Sequence, residues 1–200
     1  LRTDLPYKTA DDLLKAKSTI IMGYTGAADS SGQLPVLLKE FLGLDIKSIT
    51  YPSGADINLA IERKEEDGRG ATYSSIKLLI DRGTVRPIVR GRVSEAGNEH
   101  LPADEDLVTD KKAKILMSMR STPDRIGRPY VAPPGTPPAV MSILRDAFAK
   151  VEKDPALRED AKRTQLAVQY VPAKEVEKVL DYLLNQPPDV VSEFAKYVKF

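Results

Sequence analysis

Three short stretches hold the residue types best suited to chemistry: Met22-Gly23-Tyr24-Thr25-Gly26-Ala27-Ala28-Asp29-Ser30-Ser31, Tyr51-Pro52-Ser53-Gly54-Ala55-Asp56 and Thr72-Tyr73-Ser74-Ser75. Glycine, hydroxyl side chains and tyrosine rings recur in them, and none contains lysine. Each follows a β-type run and leads into a helical pattern. Such a turn presents unpaired N–H groups and the positive end of a helix dipole, which suits an anion. The chemistry that fits is recognition of a small carboxylate by neutral donors. The candidate contacts are Tyr24, Thr25, Gly26, Ala27, Ala28, Asp29 and Ser30 from the first stretch, Ser53, Gly54, Ala55 and Asp56 from the second, and Tyr73 and Ser74 from the third. An ordinary βα turn also needs glycines and capping serines, and capping and anion binding are compatible.

Catalytic patterns are missing. No Gly-x-Gly-x-x-Gly opens a helix, and there is no Gly-Lys-Ser/Thr phosphate turn or Gly-x-Ser-x-Gly elbow. The single histidine, His100, sits in a loop without an orienting partner and reads as a solvated side chain. Glu65-Glu66 and Asp104-Glu105-Asp106 are sequence neighbours, which diverge on a helix and make poor acid/base pairs. The charge run Glu62 to Asp67 reads as a solvated helix end.

Composition narrows the field further. The 200 residues carry a net charge of +1, with 42% hydrophobic and 30% charged residues, which is ordinary for a globular chain and gives no basic face for nucleic acid. The absence of cysteine rules out thiolate chemistry and disulfides, and one histidine cannot build a multi-histidine metal site. No metal or cofactor is expected. No run approaches the ~20 apolar residues of a membrane-spanning helix. No signal peptide is readable, but the chain opens at Leu1 and not at Met, so a natural start is expected upstream.

The elements that must position the loops alternate. Thr9 caps a short helix with Asp11 and Asp12 in its first turn. Thr19 to Tyr24 reads as a buried strand, and Leu34, Leu37, Leu38, Phe41 and Leu42 mark an amphipathic helix stopped by Gly43. A strand is expected at Ile46 to Tyr51, a helix at Ala55 to Glu65, a strand at Arg69 to Tyr73, and a helix at Ile76 to Arg82 capped by Ser74-Ser75. A fourth strand, Val85 to Arg90, is broken by Pro87 and so belongs near an edge. This alternation predicts an α/β fold with a doubly wound, largely parallel sheet, whose strand ends share one edge and bring the three stretches together. Gly91 to Glu105 reads as a surface loop and Lys111 to Arg120 as a helix. Beyond it, the proline-rich Arg128 to Pro138 leads to a helix capped by Thr136, with Val140, Ile143, Leu144, Ala147, Phe148 and Val151 on one face. Helices from Asp154 to about Gln165, Glu175 to Asn185 and Val190 to Val198, with a brief strand at Val168 to Val171, complete the chain. The expected division is an α/β lobe over 1–125 and a mostly helical part of a second, incomplete lobe over 126–200.

Several of these stretches, taken in order, resemble one family. They are Ile21-Met22-Gly23-Tyr24-Thr25-Gly26; Ile49-Thr50-Tyr51-Pro52-Ser53-Gly54; Leu59 to Arg69 with its Glu65-Glu66-Asp67-Gly68 core; and Gly127 to Pro138 with Leu144-Arg145-Asp146-Ala147-Phe148 and Asp154-Pro155 after it. The chain is similar over nearly its whole length to the substrate-binding proteins of tripartite tricarboxylate transporters, the TctC or Bug family. The Pro-x-Gly-Thr-Pro turn with its following helix is the most specific part. Lys64, where the family often has glycine, and the loosely matched Gly91 to Glu105 loop are departures that mark a divergent branch.

The resemblance implies a non-catalytic, periplasmic-binding-protein-like receptor that closes like a Venus flytrap on a small organic acid and delivers it to membrane permease subunits. It implies ligand contacts at Tyr24 to Ser30 and Pro52 to Asp56. Family members extend further at the N-terminus, so the expectation is a fragment or truncated product holding half of the ligand clamp. Its second-part helices would then pair with another copy as a homodimer. The alternatives are an α/β enzyme acting on a small carboxylate or phosphate, and an interaction module without a ligand.

Overall fold

Burial on both faces of Ile20–Tyr24 puts helices on both sides of this segment. This strand, β1, turns Ile20 and Met22 to one face and Gly23 to the other. The computed structural model describes residues 1–95, 97–164, 166 and 168–198. Ala96 in the surface loop and Gln165, the expected helix end, lie outside the described residues.

A helix, α1 (Ala10–Leu14), precedes β1. Thr9 accepts from the Asp12 N–H while Asp12 reaches back to the Thr9 N–H, a reciprocal cap. After β1 come α2 (Ser30–Leu42), β2 (Ile46–Thr50), α3 (Gly54–Glu62), β3 (Gly68–Arg69) and α4 (Tyr73–Asp81). The three strands form one parallel sheet in the order β2-β1-β3, with Tyr24 opposite Thr50 and Gly23 opposite Arg69. One face carries Ile20, Met22 and Ile46 against Leu37 and Leu38 of α2 and against Ala113 and Met117 of α5 (Lys111–Ser121). The other carries Ile57 and Ile61 of α3 with Leu79 of α4 and Val85. A Cβ on Gly23 would lie 2.5 Å from Ile57 Cγ2, so glycine sets how closely α3 approaches β1. The α/β class and the helices on both faces agree with the alternation in the sequence.

Some expected elements differ. β3 has two residues and not five, because the chain leaves the sheet at Gly70, which packs against Ser31 Cα and Leu34. Val85 to Arg90 is not a strand. Val85 makes a single antiparallel bridge to Arg2, and Arg90 a single parallel one to Ala103, with Pro87 unable to donate between them. Ser74 and Ser75 are not caps, since α4 begins at Tyr73 and Thr72 holds the cap position. α3 stops at Glu62, before Glu65, and Lys64 takes a left-handed φ of 63°.

The chain divides into two compact units, Leu1–Asp124 with Gln186–Phe200, and Arg125–Asn185. In the first, a buried ion pair of 2.6 Å joins Arg120 at the end of α5 to Asp104 in a 3₁₀ turn (Asp104–Leu107). The helix α9 (Pro188–Phe194) also belongs to this unit, where Phe194 and Tyr197 pack against its core and the Tyr197 ring meets Phe41 edge-on at 5.5 Å.

The second unit contains α6 (Pro138–Val151), α7 (Pro155–Thr164) and α8 (Ala173–Leu184). Thr136 does not cap α6. Its hydroxyl donates to Pro133 O at 2.7 Å, and Pro137 stands at the cap position. No strand forms at Val168 to Val171. No residue of α6 is buried, and Ile143 is 67% exposed.

Candidate functional site

The parallel order carries the ends of β1, β2 and β3 to one sheet edge, where open α/β folds hold ligands. Tyr24, the last residue of β1, accepts from the Tyr51 N–H at 2.9 Å, which ties the first two loops together at their roots. Loop two meets loop three at Arg69, whose Nη1 donates to Gly54 O at 2.6 Å and to Asn58 Oδ1 at 3.2 Å. Loop three meets α2 where Gly70 faces Ser31. The first two stretches are therefore neighbours, and the third follows closely on Arg69 and Gly70, which touch the starts of α3 and α2.

Their helix starts are not equivalent. At α2, Asp29 is the cap, and its Oδ1 accepts from the N–H groups of Ser31 at 2.9 Å and Gly32 at 3.0 Å and from the Ser31 hydroxyl. Oδ2 accepts from the Thr25 hydroxyl, and Thr25 N–H donates to Ser31 Oγ at 3.2 Å. Burial pushes the Asp29 carboxyl up, but the hydrogen bonds from Ser31, Thr25 and Gly32 outweigh it and hold it below its ordinary value. An internal carboxylate thus occupies the helix N-terminus that the sequence pattern offers to a ligand. Asp29 and Thr25 are turned inward on this network. Ala27 and Ala28 are exposed, and Gly26, Ala27 and Ala28 have no N–H partner among the described residues.

At α3, Ser53 accepts from the Asp56 N–H at 3.3 Å and donates to Asp56 Oδ2 at 2.7 Å, so these two residues satisfy one another. Ala55 is exposed. At α4 no side chain caps the helix. Thr72 and Ser74 hydroxyls lie 3.4 Å apart, and Ser75 Oγ donates to Thr72 O at 2.8 Å. The Tyr73 ring packs against Gly97, where a Cβ would fall 2.3 Å from its hydroxyl.

Arg69 is the residue that the sequence reading missed at this edge. The sequence pattern predicts it as the first residue of a strand, whereas it is the last residue of β3. Burial pulls its guanidinium below the ordinary value, and the charge of Asp29 opposes that shift. The signal available was its position between Gly68 and Gly70, the only cation directly flanked by glycines on both sides. His100 is exposed, and no group of acidic or histidine side chains among the described residues could hold a metal. No helix among the described residues is long and apolar enough to cross a membrane.

Residues 1–195 match the family model of TctC, the tripartite tricarboxylate transporter family receptor. No curated protein matches the chain significantly. Two solved structures share the fold. A TctC solute-binding protein from Polaromonas, without ligand, aligns with a TM-score of 0.64 at 16% identity, over 96% of this chain and 64% of its own length. An R. palustris protein with adipate aligns at 0.62 and 15% identity, over 98% of this chain and 63% of its own. The chain therefore spans just under two thirds of the length of these structures.

Proposed function

The chain belongs to the tripartite tricarboxylate transporter receptor family, and from that premise we propose that it is a non-catalytic solute receptor for a small organic acid. The observation that carries this reading is the family match over residues 1–195. The position of three hydroxyl-bearing loops, two of them with glycine, after the ends of strands that share one sheet edge supports it, as does the adipate in the R. palustris relative. In this reading Tyr24 to Ser30, Ser53 to Asp56, Tyr73 and Ser74 form one side of the ligand clamp. Asp29, Thr25, Ser53 and Asp56 shape the loops, while the backbone around Gly26 to Ala28 and the uncapped start of α4 face the acid. The opposite side comes from a second lobe, and closure is a hinge motion of the Venus-flytrap kind. The working place is the periplasm, and the partners are membrane permease subunits. The bare apolar face of α6 also favours a homodimer.

Thermal-shift measurements over dicarboxylates including adipate, tricarboxylates, amino acids and neutral sugars test the reading. A melting-temperature rise with one acid class and not with sugars is expected. A flat response to every acid overturns it.

A further inference from the structure

Arg69 is a cation held in place by neutral groups. Its Nε donates to Gly70 O at 3.3 Å, and its Nη1 to Gly54 O at 2.6 Å and Asn58 Oδ1 at 3.2 Å. A guanidinium has five N–H donors in a planar fork. These bonds occupy Nε and Nη1 and leave Nη2 without a partner among the described residues. No carboxylate among the described residues lies within ion-pair distance of the group, and Asp29, the acidic neighbour that influences it, has its oxygens taken by Thr25, Ser31 and Gly32. Arg69 is half-buried, and Nη2 is not among the buried unpaired atoms, so it stays reachable from solvent.

Placement adds to this. Arg69 sits opposite Gly23 at the end of β3, at the sheet edge from which the three loops start. A Cβ on Gly54 would fall 2.8 Å from Nη1, so glycine there lets the guanidinium lie directly on the start of α3. Both tethers hold the plane of the fork in one orientation, which removes most of the ordering cost of using its last donors.

We propose that Arg69 is the specificity-determining residue of the site, presenting its Nη2 edge to a carboxylate of the ligand and so selecting acids over neutral isosteres. This rests on the receptor reading above and deepens it, because it adds a fixed charge to a site that the sequence suggested was made of neutral donors. The contact is a charge-assisted hydrogen bond, shorter and stronger than those of backbone amides.

Calorimetric titration of the full chain with adipate and with its neutral diamide, for the unaltered protein, Arg69→Gln and Arg69→Lys, tests it. The unaltered protein is expected to prefer the diacid. Arg69→Gln should lose about 10- to 100-fold in adipate affinity, the range of a charge-assisted bond, with little change toward the diamide. Arg69→Lys should keep part of the preference, and it serves as the readable variant if Arg69→Gln does not fold. A parallel loss for acid and diamide marks Arg69 as a staple of loops two and three only and overturns the proposal, as does unchanged adipate binding. If the unaltered protein binds no acid of the panel, the receptor reading falls and this inference with it. Acid binding with an unchanged preference in both variants removes this inference alone.

Discussion

The Tyr51 hydroxyl donates to Glu66 Oε1 at 2.9 Å, and the other oxygen of this fully buried carboxylate has no partner among the described residues. Burial pushes Glu66 up from its ordinary value, with the Tyr51 bond opposing, and burial together with the Glu66 bond pushes the Tyr51 hydroxyl up to about 12. Tyr51 stands just after β2 against the α3–α4 cluster, so this polar pair sits beside the apolar packing that carries loop two.

A stability profile against pH follows. The folded protein holds the Glu66 proton to higher pH than the unfolded chain, whose value is 4.5. The penalty is absent below that value and grows as pH rises through the folded one. Glu66→Gln should therefore stabilise the protein at pH 7 and make little difference near pH 4. Tyr51→Phe, which strands the carboxylate, should cost about 1.5–3 kcal/mol at pH 7. Urea unfolding of both variants at several pH values checks this. Parallel curves for Glu66→Gln and the unaltered protein would refute it.

Asp29 behaves in the opposite sense. Its folded value is depressed, so its contribution is present above the unfolded value of 3.8 and lost as pH falls through the folded one. Asp29→Ala removes the α2 cap and the Thr25 and Ser31 bonds, with an expected cost of about 1–2 kcal/mol at pH 7. Asp29→Asn should recover most of it, because the amide oxygen can still cap. The comparison is one of chemical denaturation midpoints, and equal losses for the two variants would show that charge and not capping dominates.

Lys64 occupies a left-handed conformation with φ of 63°, where L side chains other than glycine carry a cost. Its ammonium meets Asp4 at 2.9 Å, but the side chain is 68% exposed, so that pair adds little. Lys64→Gly should stabilise the chain by about 0.5–1 kcal/mol, the strain relieved less the extra unfolded-state entropy of glycine. A lower melting temperature for the variant would contradict this.

The second unit offers a test of self-association. Ile143, Leu144, Phe148 and Val151 of α6 are all exposed. Sedimentation at rising concentration should show a dimer of the unaltered chain, and Ile143→Glu should shift it to monomer without lowering helix content. A monomer at all concentrations for the unaltered chain rejects the homodimer.

The elements at the sheet core were legible because burial there imposes simple periods. Leu34, Leu37, Leu38 and Phe41 recur at helical spacing and do face β1 and β2, and Ile20 and Met22 do share a face. The strand ends were legible for the same reason, since parallel pairing carries them to one edge. Less visible was Asp29. An aspartate just before a helical run is a capping signal, yet its place in a glycine- and hydroxyl-rich turn also offers it as a ligand contact, and the helix itself uses it. Val85 to Arg90 reads as a strand by composition, but strand formation needs a partner, and this segment finds only single bridges at its two ends.

Local pattern by itself determined the α/β class, the order of its first strands and helices, and the three loops that share an edge. Only the tertiary structure decided which helix start is filled by its own carboxylate, and that β3 ends after two residues. It also decided that Arg69 lies on Gly54 with one nitrogen unpaired among the described residues. Periodicity records which residues leave water, and that is a property of one segment at a time. Which donor meets which acceptor depends on backbones brought within about 3 Å from distant parts of the chain, and no single segment encodes that distance.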